Sequence, residues 1–182
     1  MKEDMPTLEE RLRNPQTRRD AFADLLSKFS EPLYWQIRRI VNNHDDTDDL
    51  LQNTFMKAWQ AMDDFRGDAK LSTWLHKIAI NEALSFLDKQ KRRQTDSLDS
   101  GELSAIRTLE ADEWVDGDEV STAFRNAIAS LPEKQRLVFN MKYFNEMKYE
   151  EIAEITGTSV GALKATYHIA VKKIEQYLNH RD

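Results

Sequence analysis

Residues 149–178 read YEEIAEITGTSVGALKATYHIAVKKIEQYL. Ile152, Ala153 and Ile155 recur at helical spacing over two turns. Thr156-Gly157-Thr158 then breaks the period, and Gly157 can take the left-handed backbone that ends a helix. Ser159 is an N-cap residue for a long final helix with Leu163, Thr166/Tyr167 and Ala170 available to pack inward. Short helix, glycine turn and long helix form the helix-turn-helix pattern, whose second helix enters a major groove with its N-terminal residues foremost. Its outward candidates are Ser159, Gly161, Ala162, Lys164, Ala165, Tyr167 and His168, while Lys172 and Lys173 further on can hold phosphates. A plain helical hairpin has a similar pattern. His168 reads equally as a core or surface histidine, since no carboxylate-rich cleft accompanies it.

Upstream, Phe124, Ala127, Ile128 and Leu131 close one helix, which Pro132 ends or restarts. Leu137, Val138 and Met141, with Tyr143/Phe144, mark the next. Helices also suit the whole composition: 182 residues hold 5 Gly, 4 Pro and no Cys. Without Cys there is neither a disulfide nor a thiolate-bound zinc nor a thiol nucleophile. Met1 to Arg19 is polar and does not read as a secretory signal, and no apolar run approaches the roughly 20 residues of a membrane span. These features suit a soluble cytoplasmic protein.

Formal charge is −6, which on its own argues against nucleic acid as a partner. Its distribution reverses that. Residues 1–93 hold 16 basic and 16 acidic side chains, residues 121–182 hold nine basic and seven acidic, and residues 94–120 hold Arg107 against nine acids. All the excess acid lies in that central stretch, QTDSLDSGELSAIRTLEADEWVDGDEV, which has no sustained period. It reads as a self-repelling linker between a domain at 1–93 and another at 121–182, with a short helix possible around Leu103–Trp114. An acidic loop within one domain is the competing reading.

In the first domain Phe22, Leu25, Leu26, Phe29, Leu33, Ile37, Ile40 and Val41 recur at threes and fours. Ser30-Glu31-Pro32 interrupts them, which predicts a kink or restart near residue 30. A second helix begins at His44-Asp45-Asp46-Thr47-Asp48-Asp49, where carboxylates meet the positive end of the helix dipole. Leu51, Phe55 and Ala58/Trp59 are its expected buried stripe. Phe65–Lys70 is a loop, and Ser72 is expected to cap a third helix with Leu75, Ile78, Ala79, Ala83 and Leu87 inward.

Two constellations here carry little. The His44–Asp49 cluster lacks the glycine and distal Glu of a calcium loop and reads as an acidic helix start rather than a metal site. Arg66-Gly67-Asp68 matches an adhesion tripeptide by coincidence. A third is sharper. Residues 65–93 hold seven basic and three acidic side chains, whereas 42–64 hold six Asp and one Lys, so the neutral domain is polarised. Cations interleaved with Phe65, Trp74 and Phe86 suit single-stranded nucleic acid, in which charges hold phosphates and rings or pockets accept unstacked bases. The alternative is that these rings are core and the lysines a solvated face.

Two groups of motifs now carry a resemblance. Asp49-Leu50-Leu51-Gln52-Asn53-Thr54-Phe55 with Trp59, Phe65-Arg66-Gly67, and Trp74-Leu75-His76-Lys77-Ile78-Ala79-Ile80-Asn81 resemble region 2 of bacterial sigma factors. Leu131-Pro132-Glu133-Lys134-Gln135-Arg136-Leu137-Val138-Phe139 and Tyr149-Glu150-Glu151-Ile152-Ala153 through Val160-Gly161-Ala162-Leu163-Lys164 resemble region 4. With only a linker between them, the arrangement is similar to the extracytoplasmic-function (ECF) subfamily of the sigma-70 family.

The resemblance implies roles. Asp48, Asp49, Gln52, Asn53, Met56 and Trp59 would bind the β′ clamp helices of core RNA polymerase, with the β flap as a further contact. Phe65, Arg66, Gly67, Asp68, Ala69 and Lys70, with Trp74, His76, Lys77, Asn81, Lys89, Arg92 and Arg93, would capture the minus-10 element of promoter DNA. Ser159, Gly161, Ala162, Lys164, Ala165, Tyr167, His168 and Lys172 would read the minus-35 duplex. Where the family commonly has Ser-Arg and further Arg, this chain has Ala165, Thr166, Ile169 and Val171, which shifts weight to Lys164, Tyr167, His168 and Lys172. Ser85 likewise replaces a usual polar or acidic residue. Many relatives have an inhibitory anti-sigma factor, although no residue here points to one.

The expected protein is therefore all-α: two small helical domains, an acidic linker, no catalytic residues, no metal and no cofactor. The linker's 27 residues span at most roughly 90 Å, against about 70 Å for two DNA turns. A stand-alone helix-turn-helix regulator would leave residues 1–93 poorly explained, and a helical adaptor or inhibitory partner could use the same surfaces without DNA.

Overall fold

The computed structural model describes residues 6–65, 67, 70–99 and 119–180. Among them every regular element is helical, and the chain divides into two compact units, Met1–Glu102 and Leu103–Asp182.

The first unit contains α1 (Leu8–Arg13), α2 (Arg18–Val41), α3 (His44–Gln60), a 3-10 turn (Met62–Asp64) and α4 (Leu71–Asp99). Helices α2, α3 and α4 pack on one another, and α1 lies on α2 and on the 3-10 turn. Leu25, Leu33, Ile37, Leu75, Ala79, Ile80 and Ala83 are fully buried between them. Each of the large ones contributes about 1.5–3 kcal/mol on leaving water.

Helix α2 runs unbroken through Pro32, so the expected restart near residue 30 is absent. Ser30 does not cap; its hydroxyl donates to the Leu26 carbonyl at 2.6 Å, one turn back. Phe29, Leu33, Gln36, Ile37 and Ile40 are buried on both sides of the proline, and that continuous packed face outweighs the one backbone hydrogen bond Pro32 cannot make.

Helix α3 starts as expected at His44, with Asn43 as N-cap accepting from the Asp46 amide at 2.9 Å. Its buried stripe is Thr47, Leu50, Thr54, Phe55 and Ala58; Leu51 is half-buried and Trp59 exposed. Helix α4 starts at Leu71, which is buried, so Ser72 lies inside its first turn. Ile78 and Leu87 are only half-buried, and Ile80 takes a core place. The helix continues to Asp99, beyond the residue 93 at which the sequence pattern ends it. The short helix expected around 103–114 and most of the acidic stretch lie outside the described residues.

The second unit contains α5 (Glu119–Ala129), α6 (Glu133–Tyr143), α7 (Tyr149–Thr156) and α8 (Val160–Asn179). Helices α5, α6 and α7 all pack on α8. Ala127, Ile128, Leu131, Phe139, Ala170 and Ile174 form one core cluster, flanked by Phe124, Tyr167 and Val171. Phe139 stacks with Tyr143 and with Tyr167, at centroid separations of 5.1 and 5.8 Å. Leu137 is half-buried, while Tyr143 and Phe144 remain largely exposed.

Candidate nucleic-acid and partner interfaces

The turn between α7 and α8 follows from three residues. Gly157 has φ +66°, and its N–H donates to the Ala153 carbonyl at 2.9 Å, ending α7. Ser159 begins α8 by accepting from the Ala162 amide at 3.3 Å. Ile152 and Leu163, both buried, lock the two helices together. Ser159, Gly161, Ala162, Lys164, Ala165, His168 and Lys172 are consequently exposed. Positions 161, 164/165, 168 and 172 form one stripe down the helix, a surface narrow enough for a groove.

Tyr167 departs from the other expected groove-facing residues. Its ring is half-buried, stacked on Phe139 and edge-on to Tyr149 at 6.4 Å, and burial, followed by Tyr149 and Tyr143, raises its pKa above the ordinary tyrosine value. It therefore packs α8 against α6 and α7. Two residues that periodicity did not single out join the site. Tyr149 lies under two cations, Lys142 Nζ at 5.0 Å and Lys164 Nζ at 5.7 Å from its ring centroid. Lys142 also donates to the Met147 carbonyl at 3.0 Å, which fixes it at the end of α6. These residues come from three helices, so no single-helix pattern could pair them.

On the first unit, α3 presents Asp48, Asp49, Gln52, Asn53, Met56 and Trp59 together, all exposed. Met56 is 53% and Trp59 45% exposed, large apolar groups beside a carboxylate end. Phe22 of α2 braces the indole edge-on at 4.9 Å. An acidic edge with protruding apolar anchors is the composition of a protein-docking face. In the His44–Asp49 cluster, His44 Nδ1 meets the Tyr34 hydroxyl at 2.7 Å and Nε2 faces Asp48 at 3.7 Å.

The loop and α4 divide their expected nucleic-acid residues. Arg66, Asp68 and Ala69 lie outside the described residues; Gly67 has φ +79° and Lys70 is exposed. Phe65 is only 6% exposed, against Trp74 at 5.0 Å, so it is core rather than an open stacking ring. His76 is half-buried and its Nδ1 pairs with the Gln36 side chain on α2, which joins two helices instead of facing outward. The remaining residues come together. Trp74, Lys77, Asn81, Ser85, Asp88/Lys89 and Arg92 fall at helical spacing on one stripe, half-buried at 74 and 77 and exposed from 81 onward; Arg93 is exposed beside it. Arg13, which sequence patterning left unassigned, reaches this loop from α1: its guanidinium lies 5.8 Å from the Phe65 ring centroid.

The chain is similar to known proteins over both units. Residues 25–93 match the family model for sigma-70 region 2, and residues 121–174 match that for sigma-70 region 4. The chain is 31% identical over 166 residues to the RNA polymerase sigma-H factor of Pseudomonas aeruginosa, covering 87% of this chain and 86% of that one. It is 30% identical to the ECF RNA polymerase sigma-E factor of Escherichia coli, covering 85% of both. Among solved structures, the sigma factor RpoE of Bartonella quintana, in complex with the anti-sigma factor NepR, matches with a TM-score of 0.72 at 26% identity, over 87% of this chain and 96% of that one.

Proposed function

Because the chain belongs to the sigma-70 family, in its ECF group, we propose that it is a transcription initiation factor that binds core RNA polymerase and directs it to specific promoters. The observation that carries the reading is the pairing of two exposed faces on two helical units: the acidic–apolar face of α3 and the stripe of α8 behind the Gly157 turn. Asp48, Asp49, Gln52, Asn53, Met56 and Trp59 dock on the β′ clamp helices. Trp59 and Met56 supply the desolvated anchors, and the carboxylates steer the encounter.

Ser159, Gly161, Ala162, Lys164, Ala165, His168 and Lys172 lie along the minus-35 major groove. The small residues let the helix approach closely, and the lysines neutralise phosphates. The loop from Phe65 to Lys70 and the stripe through Asn81 to Arg92 and Arg93 take the melted minus-10 strand. A base pulled from the stack is captured beside the loop while the cations hold its backbone. In this reading the protein acts without catalysis of its own, in the cytoplasm where polymerase works. An anti-sigma factor, such as the one bound to the Bartonella quintana relative, would compete for the same exposed faces.

Adding the purified chain to core polymerase on genomic DNA and sequencing the 5′ ends of transcripts tests this. Discrete new start sites sharing two upstream elements are expected. Polymerase binding without new starts would overturn promoter recognition.

A further inference from the structure

We propose that Arg13 is a positioning residue for minus-10 recognition, seating Phe65 and Gly67 of the loop and adding a guanidinium to its surface; this rests on the reading of that loop as the minus-10 element's binding site. Arg13 lies outside both segments that match the family models.

Helix α1 has six residues, too few to persist alone, so its place is set by its anchors. Thr7 and Glu10 form a reciprocal capping box, with the Thr7 amide donating to Glu10 Oε2 at 2.8 Å and the Glu10 amide to Thr7 Oγ1 at 3.2 Å. Leu12 is fully buried. Arg11 pairs with Asp24 at 2.7 Å, and Arg18 Nε donates to the Leu12 carbonyl at 2.9 Å. Arg18 also holds Asp63 of the 3-10 turn at 2.8 Å, so α1 and the approach to the loop share one clasp.

From this fixed base Arg13 projects onto the loop. Its guanidinium approaches the Phe65 ring and also fills the space where a side chain on Gly67 would be. A Cβ built there would stand 1.8 Å from Nη2 and 3.1 Å from Cζ. Glycine at 67 serves twice, giving the backbone its φ of +79° and leaving a bare Cα for the guanidinium. An exposed arginine ordinarily samples many rotamers; this one is seated between an aromatic ring and a glycine. Lys70 is exposed on the same loop, so Arg13 places a second cation where a melted strand's phosphates would pass.

The test compares wild type with Arg13→Ala and Arg13→Lys, each as full chain with core polymerase. A promoter mapped for the wild type is transcribed with single-base changes in the minus-10 element and, separately, in the minus-35 element. Arg13→Ala is expected to lose about two- to fivefold of its discrimination among minus-10 bases, the equilibrium equivalent of an exposed cation–π contact. Its minus-35 discrimination, polymerase affinity and melting temperature should stay as in wild type. Arg13→Lys should restore the salt dependence through its charge without restoring base discrimination, lacking the flat guanidinium. Wild-type discrimination in Arg13→Ala, or a parallel loss at both elements with a lower melting temperature, would overturn the inference alone. Absence of minus-10 discrimination in the wild type would overturn the reading of the loop and this inference with it.

Discussion

At the scale of single residues, the helix proposed to read the minus-35 duplex, α8, carries few charges on its exposed stripe. Its exposed stripe has the uncharged Ala165 and His168 at its middle, and the lysines on that side of α8 are Lys164, near its start, and Lys172, two turns on. Lys164 is partly ordered already, because its ammonium lies over the Tyr149 ring that also seats Lys142. A seated cation has less side-chain entropy to lose when it meets a phosphate. Replacing both residues, Lys164→Gln with Lys172→Gln, should therefore remove two phosphate contacts. The slope of log affinity against log salt for the minus-35 duplex should become shallower by about 1.8, at about 0.9 per contact in B-form DNA. Polymerase-bound protein titrated with a promoter fragment over a salt series gives that slope. An unchanged slope with unchanged promoter choice would sink the placement of these two lysines on the backbone.

At the scale of the element, α2 shows packing outweighing local propensity. Pro32 is exposed and lacks an N–H, yet the helix passes through it because Phe29, Leu33, Gln36 and Ile37 are buried on either side. Pro32→Ala should return the missing hydrogen bond and stabilise the first unit by about 1–3 kcal/mol, below the full interior penalty because proline also restricts the unfolded chain. Thermal or urea unfolding of the full chain measures it; a less stable variant would mean that the ring itself contributes packing. The same helix shows where sequence reading falls short. Local rules rank Ser30 and Pro32 as a boundary, and only the third dimension reveals what lies beneath them. In α3, Thr47 and Thr54 are fully buried because their hydroxyls donate to the Asn43 and Leu50 carbonyls at 2.5 and 2.7 Å. Polar letters thus hid two of the stripe's five positions and moved its expected centre from Leu50 to Leu51. The Gly157 turn and Ser159 cap were legible because each acts on neighbouring backbone. Phe65 and His76 were not, since a ring or imidazole in a basic stretch has the same letter whether it meets a base or a helix. Arg13 was hidden for a related reason: its partners, Phe65 and Gly67, lie some fifty residues away in sequence.

At the scale of the whole molecule, charge is arranged in series along the chain: an acidic face with apolar anchors on α3, a basic stripe on α4, an acidic stretch and a net-positive unit with a helix-turn-helix. Helix α4 takes up residues 94–99 and α5 begins at Glu119, so the stretch between helices is residues 100–118, with a covalent reach of at most about 65 Å. That is below the roughly 90 Å available if all of 94–120 were extended. Seven of the nine acidic residues of 94–120 fall within 100–118 or at its Glu119 edge, the others being Asp96 and Asp99. Wherever such carboxylates come within a Debye length of about 8–10 Å of bound DNA, they repel the phosphates that Lys164 and Lys172 are expected to attract. Free protein is then expected to bind DNA poorly, and polymerase is expected to relieve the repulsion by giving the acidic stretch a basic surface to occupy. Exchanging Glu102, Glu110, Asp112, Glu113, Asp116 and Asp118 for their amides should strengthen binding of the free chain to duplex DNA on the order of tenfold at low salt, with the gain fading as salt rises. The same variant bound to core polymerase should lose affinity for it while keeping its promoter choice, because no base-reading residue has changed. Fluorescence titration of labelled duplex, with and without polymerase, separates the two effects. Free-chain affinity equal to wild type at every salt concentration would show that the acidic connection does not screen the reading helix, and the dependence of recognition on polymerase would then have to come from the two units themselves.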